Sequence, residues 1–416
     1  MEKFAFLFPG QGTQFIQMGK IFYEHYLVAK QTFEEASKVA GQDIAQMCFN
    51  GSFTNINKFT NMQLAIVTTE VSIFRTYMDD YGVPPQFLIG HSIGEYAALV
   101  CSGALDFSDC IKILLKRGAL VERVIDKKQG KMTIIEGISE SQLRDAIYNT
   151  GLTDEVTISC YNSPVQFAIS GGNGSLDALE NKLVKMNAAV TPLLHSPPLH
   201  SPLMEMIKQE FFLFLQSIPF HIFQYPVISN LTGRPTTNPH DMAIMLSEHL
   251  THPVQFTKSI EYSLGFGVQS IVEMSPKRLL SLFVNAIAPN VNTYCYGLEK
   301  DRELLRTHFQ SDENYVKDMP NLLGAYLCLL ASTRNNNPDN DNRRVSEIYN
   351  QIKKEYLNQD KNKIGMSVNQ YGQLLELVIE ALKIKCLPEE EIKEEIRAML
   401  LRTNKMYTYD NILQRI

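Results

Sequence analysis

The chain has no C-x-x-C pair and no cysteine–histidine spacing of a zinc site; its seven cysteines are scattered from Cys48 to Cys386. An odd, unpatterned set of this kind reads as reduced, mostly buried thiols of a cytoplasmic protein. Neither sign of charge prevails. The 39 basic and 45 acidic residues leave −6, which argues against nonspecific nucleic-acid binding and against a polybasic membrane surface. Long apolar runs are missing too: Leu322 to Ala331, the longest near the far end, is too short to span a bilayer. The opening Met1-Glu-Lys-Phe-Ala-Phe-Leu-Phe-Pro9 carries no cleavage site and reads as a first strand. The expectation is a soluble protein.

What the chain does have is the stretch Gln86-Phe-Leu-Ile-Gly-His-Ser-Ile-Gly-Glu-Tyr-Ala-Ala-Leu99. Phe87 to Ile89 reads as a short buried strand and Glu95 onward as a helix, so Gly90 to Gly94 forms a G-x-S-x-G turn between them. Such a turn holds its serine in a strained conformation at the tip of a strand, with the hydroxyl exposed and backbone N–H groups beside it. Glycine is required where side chains would collide with the neighbouring strand and helix. That geometry suits attack on an acyl carbonyl and makes Ser92 the candidate nucleophile.

With 416 residues and 44% hydrophobic content, two or three compact units with substantial cores are expected. Strand 4–8 leads into Pro9-Gly-Gln-Gly-Thr-Gln14, which lacks both G-x-G-x-x-G and the lysine of a phosphate loop. Gln11 fits better beside Ser92, at the carboxyl ends of adjacent parallel strands. A helix is expected over 17–39, a polar loop over 54–62 and a long helix from Gln63 to Met78. A further helix runs from Phe107 and is closed by Arg117-Gly118. Strands alternating with helices through residue 120 indicate an α/β core. Residues 129–198 read as β-α-β-β-α-β, a ferredoxin-like insertion forming one wall of a cleft over Ser92. The large domain, 1–128, resumes over 199–300. Residues 301–416 form a helical extension: a helix over 320–332, a polar linker over 333–342 and three amphipathic helices.

A serine hydroxyl needs a base, and histidine has the right pKa range. His195 and His200 share the cluster Leu194-His-Ser-Pro-Pro-Leu-His-Ser-Pro-Leu-Met204. His200 is preferred because it sits where the insertion returns the chain to the large domain. His91 is expected to point to the opposite side of the elbow, in a structural role, though it can shape the pocket. Arg117 has two readings, a cation at a helix C-terminus or a planar fork gripping a carboxylate.

Several motifs occur together in one order: Phe8-Pro-Gly-Gln-Gly12, the elbow through Glu95, Arg117-Gly118, Asn162-Ser-Pro-Val-Gln166 with Ile169-Ser-Gly171, His200 to Met204, Ile228-Ser-Asn-Leu-Thr232 and Pro253-Val-Gln-Phe256. Over residues 1–300 the chain resembles the malonyl-CoA:acyl-carrier-protein transacylases, whose fold is a hydrolase-like α/β core with a ferredoxin-like insertion. The resemblance implies that Ser92 is acylated, that His200 is its base, and that the N–H groups of Gln11 and Ile93 form an oxyanion hole. It further implies that Arg117 holds the malonyl carboxylate while Gln63, His91, Asn162 and Gln166 line the pocket. The partners would be malonyl-CoA and a carrier protein or carrier domain, with no cofactor of the enzyme's own.

Four features depart from the family. Leu199 stands where malonyl-selective members usually carry Phe, and His249 where many have Gln with its carbonyl toward the base. Ser275-Pro-Lys277 replaces Gly-Pro-Gly. Residues 301–416 exceed a typical stand-alone member and are similar to extensions of discrete, trans-acting acyltransferases of polyketide or hybrid polyketide–peptide assembly lines. The alternatives are an acyl hydrolase of the same fold that clears carrier proteins and a non-catalytic carrier-binding scaffold.

Overall fold

The structure is a computed structural model; it describes residues 2–127, 130–193, 196–311, 322–338, 342–362 and 368–403, with Tyr409, Ile412 and Leu413. His195 lies outside them. The first part of the chain runs β1 (Phe4–Phe8), α1 (Lys20–His25), α2 (Leu27–Ala40), α3 (Ile44–Asn50), α4 (Phe53–Ile56) and α5 (Phe59–Asp80). It continues through β2 (Phe87–Gly90), α6 (Gly94–Cys101) and α7 (Phe107–Asp126). The insertion is β3 (Gly130–Glu136), α8 (Glu140–Tyr148), β4 (Val156–Ser163), β5 (Gln166–Gly172), α9 (Asn173–Lys185) and β6 (Ala189–Leu193). Next come α10 (Glu205–Leu215), β7 (Val227–Ile228), β8 (Pro235–Thr236), α11 (Met242–Glu248) and α12 (Phe256–Gly265). After them follow β9 (Ser270–Glu273), α13 (Leu280–Ile287), β10 (Asn292–Cys295) and α14 (Glu299–Ser311). The last helices are α15 (Leu322–Ser332), α16 (Arg343–Asn362), α17 (Val368–Ile384) and α18 (Glu389–Arg402).

The large sheet has the order β10-β9-β1-β2-β7-β8. Its first five strands are parallel and only β8 runs against its neighbour. All five residues of β1 are buried, as expected of a parallel strand covered on both faces by helices. The register Phe8↔Gly90 brings the carboxyl ends of β1 and β2 level, so the turns after them, one with Gln11 and one with Ser92, meet above the sheet. The result is a hydrolase-like α/β core.

The smaller sheet is antiparallel, in the ferredoxin-like order β4-β5-β3-β6. Ser139 opens α8 with a reciprocal capping box to Gln142. Leu143 and Ile147 of α8 and Leu176, Leu179 and Leu183 of α9 pack with Ile135, Ile158, Phe167 and Ile169. Val254 ties this sheet to the rest: its N–H donates to the Ser159 carbonyl and its own carbonyl accepts from Tyr161 N–H, each at 2.9 Å.

Three local expectations change. The helix expected over 17–39 is broken at Tyr26, whose extended backbone separates α1 from α2. The expected loop 54–62 holds α4, opened by the Ser52 hydroxyl accepting from Asn55 N–H, and the start of α5. Arg117-Gly118 does not end a helix. It lies inside α7, where a Cβ on Gly118 would stand 2.2 Å from the Thr60 hydroxyl of α5, so this glycine marks a close helix crossing. The reading of Arg117 as a C-terminal cation falls with it.

By contacts the chain divides into one unit of 1–74 with 84–306 and another of 75–83 with 307–416. The second therefore takes in the end of α5, where Tyr77 meets Phe309 edge to face and Tyr81 meets it at a tilt. Its core joins Leu323, Tyr326, Ile348, Ile352, Leu375, Val378, Leu382, Ile392, Ile396 and Leu400. The described part of the polar linker is anchored by Lys385. This lysine is buried, and its ammonium donates to the carbonyls of Leu330 (2.5 Å) and Thr333 (2.9 Å) and to the Thr333 hydroxyl (3.0 Å). Those are orphan acceptors at the end of α15. Among the described residues no helix is long and apolar enough to cross a membrane. Lys385→Met keeps the packing and leaves these acceptors unpaired, so a denaturant titration should show the helical unit weakened by about 1–3 kcal/mol; an unchanged transition would make the lysine incidental.

Candidate active site

The turn between β2 and α6 lifts Ser92 above the sheet with φ 54°, a left-handed conformation unusual outside glycine. The glycines beside it are dictated by contact. A Cβ on Gly94 would lie 1.9 Å from the Phe8 carbonyl, and one on Gly90 2.2 Å from Glu95 N. His200, itself at φ 57°, places Nε2 2.8 Å from Ser92 Oγ. Its Nδ1 lies 2.8 Å from the main-chain carbonyl of His249. A carbonyl can only accept, so the ring proton sits on Nδ1 and the Nε2 lone pair faces the serine hydroxyl. Burial pushes the His200 pKa down to about 3, and the nearby Arg117 and His91 act in the same direction. The ring is therefore neutral, as a base must be before it accepts a proton.

Behind this pair lies a buried network. The Ser92 N–H donates to Asn230 Oδ1 at 3.0 Å, while Asn230 donates to Glu95 through Nδ2 (2.7 Å) and its backbone N–H (3.2 Å). Burial raises the Glu95 pKa to about 7. The His249 ring sits between Glu95, 3.3 Å from its Nδ1, and the His200 ring, 4.6 Å away centre to centre. With Ser92 N–H and Gly12 N–H engaged, the N–H groups of Gln11 and Ile93 are the neighbours that donate to no acceptor among the described residues.

Arg117 and Gln63, from α7 and α5, meet deep in the core: Arg117 Nη1 donates to Gln63 Oε1. The guanidinium also lies 5.7 Å from the Phe59 ring and 5.9 Å from that of Tyr96. Its Nε is buried with no partner, and burial lowers the Arg117 pKa. No carboxylate pairs with it among the described residues. A buried cation without an anion beside it is expensive, and Arg117 is held in that state by Gln63 and the two rings.

A cavity of about 520 Å³ opens in front of Ser92 and His200. Gln11, His91, Asn162, Gln166 and Leu199 line it, with the apolar Met132, Ile134 and Leu193, Leu279 ahead of α13, and Leu282 and Phe283 of α13. Ile93, Gln63, Arg117 and His249 are not among the residues that line it. His91, expected on the opposite side of the elbow, faces the cavity. It is held there by Asn162: Gln166 Nε2 donates to Glu136 (2.6 Å), Asn162 Nδ2 to Gln166 Oε1 (2.9 Å), and His91 Nε2 to Asn162 Oδ1 (2.7 Å). The Glu136 carboxylate thus fixes the direction of the whole chain of bonds. Where Ser275-Pro-Lys277 replaces the glycines, Glu273 caps α13 by accepting from the N–H groups of Leu279, Leu280 and Ser281.

Sequence reasoning gave no role to Glu95, Asn230, Glu136 or Glu273. The signal was present for the first two, since both lie inside the motifs at the elbow and at Ile228 to Thr232. Among the described residues no three of His, Cys, Asp or Glu converge as a metal site.

A neutral serine–histidine pair above a parallel sheet, with free N–H groups beside the hydroxyl, defines an acyl-transfer site. The chain belongs to the acyl transferase domain family, whose model matches residues 5–291. It is 35% identical over 340 residues to a malonyl CoA-acyl carrier protein transacylase of Bacillus subtilis, covering 82% of this chain and 85% of that protein. A polyketide biosynthesis malonyl CoA-acyl carrier protein transacylase of Bacillus velezensis is 32% identical, covering 68% and 96%. The crystal structure of an acyl carrier protein S-malonyltransferase from Vibrio cholerae superposes with TM-score 0.70 at 30% identity, over 73% of this chain and all of that one.

The depressed His200 pKa predicts a linkage. The folded ring stays neutral while the unfolded one takes up a proton below about 6.5, so stability present above that pH is lost as pH falls. Relative to His200→Gln, the native chain should lose about 2 kcal/mol of unfolding free energy between pH 7.5 and 5. Denaturant titrations at the two pH values measure it, and a constant difference would place a charged imidazole in the fold.

Proposed function

We propose that this protein transfers a malonyl group from malonyl-CoA to the phosphopantetheine thiol of an acyl carrier protein, through an ester on Ser92. The observation that carries the reading is the buried, anion-free Arg117 behind the Ser92–His200 pair, in a chain of this family. Ser92 Oγ attacks the thioester carbonyl as His200 Nε2 takes its proton, and the N–H groups of Gln11 and Ile93 hold the oxyanion. The C–S bond breaks, and the coenzyme A sulfur leaves with the proton from His200. The carrier thiol then repeats the steps in reverse order, giving ping-pong transfer. Arg117, steadied by Gln63, binds the free carboxylate. The thioester arm lies along the wall of His91, Asn162 and Gln166, with Leu199 beside the acyl group. Atoms and charges balance without a cofactor.

The polyketide setting is supported by the Bacillus velezensis relative's name and by a chain that continues past the family match. Five buried cysteines fit a reducing compartment, and the cytoplasm is the proposed location. The test is transfer from malonyl-CoA and from acetyl-CoA to a phosphopantetheinylated carrier protein. Arg117→Ala removes charge-assisted bonds worth about 1.5–3 kcal/mol each, so malonyl transfer should fall at least tenfold while acetyl transfer is retained. Equal losses for both donors would assign Arg117 to structure alone.

A further inference from the structure

Resting on the acyl-transfer reading above, we infer that the Glu95 carboxylate is a single brace for both halves of the catalytic pair, with the His249 imidazole as a positioning residue that carries its effect to His200. One oxygen of Glu95 accepts from the Asn230 backbone, and the other from Asn230 Nδ2. Asn230 Oδ1 in turn accepts the Ser92 N–H, which fixes the strained turn that presents the hydroxyl. The same Glu95 oxygen lies 3.3 Å from His249 Nδ1. On its other side the His249 ring lies against the His200 ring, tilted 35° from it, and its main-chain carbonyl accepts from His200 Nδ1. One buried carboxyl thus reaches the serine through one residue and the histidine through another. The glutamine expected at position 249 would supply the carbonyl but neither the ring nor its contact with Glu95.

The brace depends on charge. Ionised, Glu95 accepts from Asn230 and can accept from a proton on His249 Nδ1. Protonated, it loses an acceptor site and must donate. Facing this cluster are Tyr96 from α6, Arg117 from α7, His91 from the elbow, His200 before α10, His252 after α11 and Ser229 beside Asn230. His200 and His249 are both held neutral by burial, which leaves Glu95, with its pKa raised to about 7, as the group of the cluster that changes charge near neutrality.

The test measures single-turnover acylation by malonyl-CoA and, separately, phosphonylation of Ser92 by a fluorophosphonate, across pH 6 to 8. In the native chain both rate constants should rise with pH around a midpoint near 7, while the concentration of malonyl-CoA giving half the maximal rate stays fixed. Glu95→Gln should give a flat profile about tenfold below the native rate at pH 8, the scale of a small misplacement of reacting groups. His249→Gln should slow the reaction too, and the double variant should be no slower than Glu95→Gln alone, because the two residues act as one unit. A pH profile that survives Glu95→Gln, or additive losses in the double variant, would overturn the inference. If Glu95→Gln does not fold, the native profile decides: rate constants flat between pH 6 and 8 contradict it. Phosphonylation that follows the expected profile while malonyl-CoA leaves no ester would overturn the malonyl reading and uphold the brace.

Discussion

The contact on which the site depends is the approach of Gly94 to the Phe8 carbonyl. An added Cβ at Gly94 would stand 1.9 Å from that oxygen. This close packing lets α6 begin directly above the end of β1, so that Ser92 emerges at the strand ends and not within a helix. The parallel register Phe8↔Gly90 then makes the turn after β1 its neighbour, close enough that a Cβ on Gly10 would stand 3.5 Å from that of Ser92.

Electrostatics gives the site its direction. His200 is neutral because it is buried, and its tautomer is set by a carbonyl that can only accept. His91 is lowered by burial too, so the histidines at the site add no positive charge. Arg117 is left as the buried cation, with rings on two sides and an amide for a partner. An incoming carboxylate would meet a charge already desolvated and held in place, which is the condition under which such a bond selects between substrates. The wall of His91, Asn162 and Gln166 faces the cavity with amide groups oriented from Glu136. It offers polar groups of fixed direction to a thioester arm.

Much of this was legible in the sequence because it is local. The elbow glycines, the strand before them and the alternation of the insertion all lie within short windows, and the insertion has the expected order β-α-β-β-α-β. Long-range facts were not legible. Gly118 read as a helix end because only Thr60, 58 positions away, shows it to be a crossing. His91 read as facing away because its orientation is set by Asn162, on another sheet. β10 and the long α14 went unread because their apolar residues are few and their packing is tertiary. Glu95 and Asn230 stood in plain view inside motifs, yet their bond spans 135 positions. Periodicity carries no information about a hydrogen bond of that kind.

The central claim is that Ser92 carries the acyl group, and mass spectrometry of the digested protein after brief exposure to malonyl-CoA tests it most directly. The account predicts a malonyl ester on the peptide that contains Ser92, removed when a carrier protein bearing phosphopantetheine is added. A malonyl group found on any other residue, or no adduct at all in a folded protein, would contradict it.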